Sequence, residues 1–105
     1  MSRTEIIAFF LHRDFSARYR GFSDLVEVLS FCTDHPEKLH SITDVYRSVG
    51  EACGISAARI EHNIRYLLEA RHMASGRGFT PRPSNKIVIR RLTLELLSAK
   101  KSRGA

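Results

Sequence analysis

Residues 41–69, SITDVYRSVGEACGISAARIEHNIRYLLE, decide the fold. Ser41 and Asp44 have the spacing of a helix-capping pair, and Ile42, Val45, Val49 and Ala52 then recur at helical intervals. This predicts a helix to about Cys53. Gly54 suits the left-handed position after a helix end, and Ser56 suits the N-cap of the next helix, so only Ile55 stands between them. The following helix, 56–73, puts Ile60, Ile64, Leu67 and Leu68 on one stripe and Arg59, His62, Arg65 and Tyr66 roughly opposite. Two helices joined by so short a glycine turn make a helix-turn-helix. Gly50 would let the helices approach closely, with Ile55 and Ile60 anchoring the pair to the core.

Outward from this junction the pattern is also helical. Ser2 and Glu5 again have capping spacing, opening a helix from Arg3 to Arg13 with Ile6, Phe9 and Phe10 on its apolar face. DFSARYRG (14–21) breaks the pattern, with Gly21 as punctuation. Phe22 to Thr33 is the second helix, buried through Phe22, Leu25, Val26, Leu29 and Cys32. DHPEKLH (34–40) reads as a loop, because Pro36 cannot extend a preceding helix. Residues 74–86 form a loop rich in Gly, Pro and Arg.

The last element, KIVIRRLTLELLSAK (86–100), reads two ways. The alternation of Leu92, Leu94 and Leu96 fits a strand, which would make a winged helix with a C-terminal hairpin and place Arg77 and Arg82 on the wing. Ser84 as an N-cap, with Val88, Ile89, Leu92 and Leu96 as the stripe, fits a helix. The expected fold class is all-α, five helices in one domain over 1–105, with the winged helix as the alternative. The tail KKSRGA (100–105) is expected to fray.

A chain of 105 residues with 43% hydrophobic and 27% charged residues is expected to make one globular domain. No run of 18 apolar residues suggests a membrane span, and the first residues lack a cleavage-site pattern, so no signal peptide is expected. Cys32 and Cys53 are read as two reduced core thiols, which fits the cytoplasm. The charge is uneven. Residues 1–54 carry 6 basic and 8 acidic side chains, whereas 55–105 carry 11 and 3. A one-sided basic surface suggests a polyanion, most commonly nucleic acid.

Catalytic and metal signals are weak. His12, His35, His40, His62 and His72 form no H-x-x-x-H pair, and neither cysteine lies in a C-x-x-C pair. GRG at 76–78 lacks a preceding strand and a Walker lysine. Glu61 and Glu69 have no evident acid–base partner. No metal, no cofactor and no enzymatic activity are expected.

A helix-turn-helix places the start of its second helix against base edges in the major groove. Arg59 could bond guanine O6 and N7 in parallel, worth ~1–3 kcal/mol of discrimination. Glu61 could accept from cytosine N4, and His62 lies one turn beyond Arg59's end of the helix. Arg65 and Tyr66 suit phosphates or a further base, while Ser41, Thr43 and Ser56 sit at helix N-termini that favour phosphate. Arg77 and Arg82 are further backbone candidates. The alternative is a solvated amphipathic face on a helical protein-interaction module that has lost specific DNA binding.

These residues resemble the C-terminal DNA-binding effector domain of the sporulation stage-zero master response regulators of endospore-forming bacteria. That family reads S-I-T-[KR]-V-[LY] into its first motif helix, matched by Ser41, Ile42, Thr43 and Val45. It reads T-x-x-R-V-E-R-x-I-R-H into its recognition helix, matched at Ser56, Arg59, Ile60, Glu61, Ile64 and Arg65. SARYRGFSDLVEVL (16–29) and RPSNKIVI (82–89) resemble further family segments, so the likeness is ordered along nearly the whole chain.

The resemblance implies an all-helical domain that binds short operator boxes, often as tandem copies, and activates or represses early sporulation genes. It implies Arg59 and Glu61 as base readers, Arg65 as a DNA contact, and a helix from about Ser84. A homodimer or tandem array on DNA and a contact with RNA polymerase are the protein partners it brings with it. The sequence departs from the family at His62, where Arg is usual, and at Tyr66, where His is usual. ASGRGFTPR (74–82) is too short for the family's extra helix, and no receiver domain is included, as expected of an excised piece or a stand-alone relative.

Overall fold

The computed structural model describes residues 1–104, with side chains through Lys101. It contains five α-helices: α1 (Arg3–Leu11), α2 (Arg20–Asp34), α3 (Ile42–Cys53), α4 (Ala57–Ala74) and α5 (Asn85–Gly104), with a 3-10 turn at Pro36–His40 between α2 and α3. Among the described residues there is no strand. The architecture is the all-α, five-helix fold containing a helix-turn-helix, and the winged-helix alternative does not occur. Leu94 shows why. It is 52% exposed whereas Leu92 and Leu96 are 7% and 3% exposed, so the buried side follows helical periodicity rather than strand alternation. Ile89 and Thr93 complete the buried face, and the Thr93 hydroxyl is satisfied by donating to the Ile89 carbonyl at 2.8 Å.

α1 starts as its sequence predicts, with the Ser2 hydroxyl oxygen accepting from the Glu5 N–H, but it ends at Leu11 rather than Arg13. Asp14 adopts φ +60° and turns the chain so that Phe15 enters the core against Phe10, ring centroids 4.7 Å apart. Phe22 meets the other side of Phe10 edge-on at 5.5 Å, joining α2 to this cluster. Gly21 does not punctuate the chain but lies inside α2. A Cβ there would come within 2.2 Å of the Asn63 carbonyl oxygen and 2.9 Å of the Leu67 Cβ, so the residue lets α2 press directly on α4. The 34–40 segment, expected to be a loop, forms the 3-10 turn with Pro36 at its start and half-buried Leu39 packed on the core.

The helix-turn-helix is built from α3, the turn Gly54–Ser56 and α4. Gly54 has φ +75°, and the Ile55 N–H donates to the Gly50 carbonyl at 3.0 Å. The Ser56 hydroxyl caps α4 by accepting from the Arg59 N–H at 3.1 Å. Ser41 occupies the N-cap of α3 but makes no side-chain capping bond, contrary to its spacing. A Cβ on Gly50 would lie 2.5 Å from the Ile55 carbonyl oxygen, so the close approach is between α3 and the turn itself. Ile55 is half-buried, and Ile60, Ile64, Leu67 and Leu68 are buried.

Two expectations for α3 fail at its last turn. Ala52 and Cys53 are exposed, because that turn runs past the core toward the tight junction, while Tyr46 takes a buried place the apolar count had missed. The backbone is helical through Gly104, and Ala105 and the side chains of 102–104, on which most of the expected fraying of 100–105 falls, lie outside the described residues. No helix among the described residues is long and apolar enough to cross a membrane.

Cys32 is fully buried, and burial pushes its thiol up to about 11, partly offset by a hydrogen bond with Thr93. Cys53 is exposed. Since the thiolate is the reactive form, a thiol-specific chromogenic reagent at mildly alkaline pH should modify one cysteine quickly and the second only after unfolding. Two fast thiols would contradict this packing. Gly50→Ala should cost about 1–3 kcal/mol through overpacking, and Gly54→Ala about 1–2 kcal/mol through the left-handed backbone alone, since nothing lies within 4 Å of a Cβ there. Urea unfolding midpoints at constant slope measure both.

Candidate nucleic-acid interface

α4 is set by contacts on three sides. Below it, Gly21 admits the α2 backbone, and the Asn63 amide donates to the Asp24 carboxylate at 2.8 Å. At its N-terminus the Gly54 turn sets its direction from α3. On the third side stands Asn85, the first residue of α5, only 8% exposed. Its amide donates to the Tyr46 hydroxyl at 3.4 Å and to the Glu61 carbonyl at 3.3 Å, and its side-chain oxygen accepts from Arg82 at 3.2 Å. One buried amide thus ties α3, α4 and α5 together directly beneath the outward face.

That face carries the expected side chains. Arg59, His62, Arg65 and Tyr66 are all exposed. Arg59 enters no ion pair among the described residues, so its guanidinium fork is uncommitted. Arg65 is engaged twice: its Nε lies 3.3 Å from the Glu61 carboxylate and a terminal nitrogen lies 3.2 Å from His62 Nδ1. A guanidinium only donates, so in this contact His62 Nδ1 accepts, which leaves Nε2 as the ring nitrogen available to donate. His62 therefore offers a donor through Nε2. Glu61 is half-buried and held to Arg65, which sets it back from the face.

The other candidates divide. Thr43 is exposed and Ser41 half-buried at the start of α3; Ser56 is exposed, with its oxygen used by the cap and its O–H free to donate. Arg82 turns inward: its side chain is 16% exposed, donates to the Pro83 carbonyl at 2.7 Å as well as to Asn85, and sits 4.0 Å from Glu69. It holds the 75–84 connection to the helices instead of reaching out. Arg77 is exposed on that connection, which contains turns but no helix. It stands past the C-terminal end of α4, whereas Arg59 is in the first turn of that helix.

A cleft of about 740 Å³ beside the face adds residues of the 14–21 segment, which in the sequence presents only as a helix break. Its walls are Arg18, Tyr19 and Arg20 on one side and Ser56, Arg59, His62 and Tyr66 on the other. Arg18 and Arg20 are exposed, and the Tyr19 ring lies 5.9 Å from that of Tyr66 at 60°. The alternation of basic and aromatic residues in SARYRG was the available signal. Its place next to α4 follows only from the Gly21 contact. Among the described residues, no group of His, Cys, Asp and Glu could hold a metal ion.

Compared with known proteins, the chain matches no protein-family model and no curated protein.

Asn85→Ala would leave the Tyr46 hydroxyl and the Glu61 carbonyl short of a donor in the interior. It should cost about 1–3 kcal/mol of unfolding free energy, seen as a lowered urea midpoint. An unchanged midpoint would show that the three-helix tie contributes nothing.

Proposed function

We propose that this chain is a sequence-specific double-stranded-DNA-binding domain that regulates transcription, with α4 entering the major groove. The carrying observation is the pair Arg59 and His62, two outward donors on the first turns of a helix rigidly seated behind a glycine turn, with Arg18 and Arg20 on the flank. Arg59 reads a guanine edge, His62 donates through Nε2 to a base acceptor, and Glu61 accepts from cytosine or orients Arg65. Arg65, Tyr66, Ser41, Thr43 and Ser56 position the duplex through its phosphates. In this reading the chain acts in the cytoplasm, is not an enzyme and needs no cofactor. The resemblance to the sporulation effector domains supports tandem or paired binding at short boxes, a contact with RNA polymerase and sporulation genes as targets.

A second reading has one observation in its favour. Arg65, Glu61 and His62 satisfy one another on the surface, as they would on a helical module that recognises protein and has lost its operator. Selection from random duplex DNA separates the two: enrichment of a short box supports the first, and no enrichment supports the second.

Arg59→Ala should weaken binding to the enriched box more than to a scrambled duplex, whereas Arg65→Ala should weaken both alike. Equal losses for Arg59→Ala would remove its base-reading role. With ~4–6 phosphate contacts, log K should fall against log salt with a slope of roughly −4 to −5, and a flat response would reject DNA as the partner.

A further inference from the structure

A second and larger cleft, of about 990 Å³, lies at the opposite end of α4. It is enclosed by the α1–α2 connection, the last turns of α4, the 75–84 connection and α5, and six arginines line it: Arg13, Arg18, Arg71, Arg77, Arg82 and Arg91. The fold itself uses three. Arg13 pairs with Glu95 at 3.0 Å and lies over the Phe9 ring. Arg82 is turned to Asn85 and Glu69. Arg71 stacks on Phe15 and donates to the Arg13 carbonyl, so it is fixed in place, yet among the described residues it pairs with no carboxylate.

The remaining three come from three separate segments. Arg18, Arg77 and Arg91 are exposed, and none has an ion pair or a side-chain hydrogen bond among the described residues. The acidic residues of the lining are Asp14 and the already paired Glu95. The cleft therefore keeps an excess of positive charge. Like charges gathered from distant parts of a chain repel, and a multivalent anion between them turns that repulsion into attraction. Planar guanidinium forks match phosphate oxygens two at a time, and the volume sits at the upper end of the ~300–1,000 Å³ usual for ligand sites.

We infer that this cleft is a phosphate-binding site, distinct from the outward face of α4, in which Arg18, Arg71, Arg77 and Arg91 grip a multiply charged phosphate ligand. Two sources carry that chemistry: the backbone of a duplex running past the C-terminal end of α4, and a free polyphosphorylated small molecule. Arg18 and Tyr19 line both clefts, so a ligand here bears on the DNA face from either source. The site itself does not depend on that face reading DNA.

The test is titration of the full chain with inorganic tripolyphosphate at constant physiological ionic strength, followed through the arginine Nε–H resonances. Saturable shifts at Arg18, Arg71, Arg77 and Arg91 are expected, with little change at Arg59 and Arg90. Arg77→Gln/Arg91→Gln should weaken binding at least tenfold, and Arg77→Lys/Arg91→Lys, which keeps the charge but loses the fork, should fall between. Both side chains are exposed, and an unchanged melting temperature confirms the fold of each variant. Shifts that do not saturate, or that are equal at all exposed arginines, would overturn the site. So would a Gln variant that binds as tightly as the parent.

Duplexes of one and two helical turns then assign the source. If the Gln variant loses affinity for the longer duplex alone, the phosphates are those of the DNA backbone. If it binds both duplexes normally and loses only tripolyphosphate, the ligand is a free phosphorylated molecule. A parent chain that binds tripolyphosphate but no DNA leaves this site standing and removes the proposed function.

Discussion

Everything on the outward face depends on two places where α4 and its turn meet another helix with no side chain between them. At Gly21 the α2 backbone lies against Asn63 and Leu67; at Gly50 the α3 backbone lies against the carbonyl of Ile55. Tightly packed interiors transmit small displacements, so these contacts set the height and the direction of α4. The buried Asn85 amide supplies the third constraint and holds α5 to the same helix. A helix held on three sides fixes the backbone positions from which Arg59 and His62 project.

The same packing sorts the arginines. In the sequence they are equivalent positive charges, with the net excess in the C-terminal half. In the fold they acquire different tasks. Arg82 and Arg71 support connections, Arg13 meets a carboxylate of α5, and Arg65 joins Glu61 and His62; among the described residues Arg18, Arg20, Arg59, Arg77, Arg90 and Arg91 enter no ion pair. All of these but Arg90 line two adjoining clefts, one at each end of α4. Net charge alone speaks to a polyanionic partner; which groups can meet it depends on which are already used.

Much of the fold was readable because its signals are local. The buried stripe of α4, the left-handed Gly54 and the Ser56 cap all act within a few residues of themselves. The failures share a cause as well. Gly21 was read as a break because a glycine near an aromatic and basic segment resembles a turn; its role is to admit a helix 42 residues away in the sequence. Cys53 and Ala52 kept the period of α3, but periodicity cannot say where the core beneath a helix stops. The last element was ambiguous because β-branched residues and alternate leucines satisfy both periods, and only the layer beneath α5 selects one.

The candidate site divides the same way. The sequence by itself determined that a helix beginning near Ser56 buries Ile60, Ile64, Leu67 and Leu68 and turns Arg59, His62, Arg65 and Tyr66 outward, since helical geometry dictates both from residue order. Only the tertiary structure decided that Arg82 faces inward to Glu69 and Asn85, and that Arg18, Tyr19 and Arg20 stand beside the outward face of α4. Those outcomes rest on contacts between segments far apart in the chain, where close packing and the pairing of charges choose among side chains that are locally equivalent.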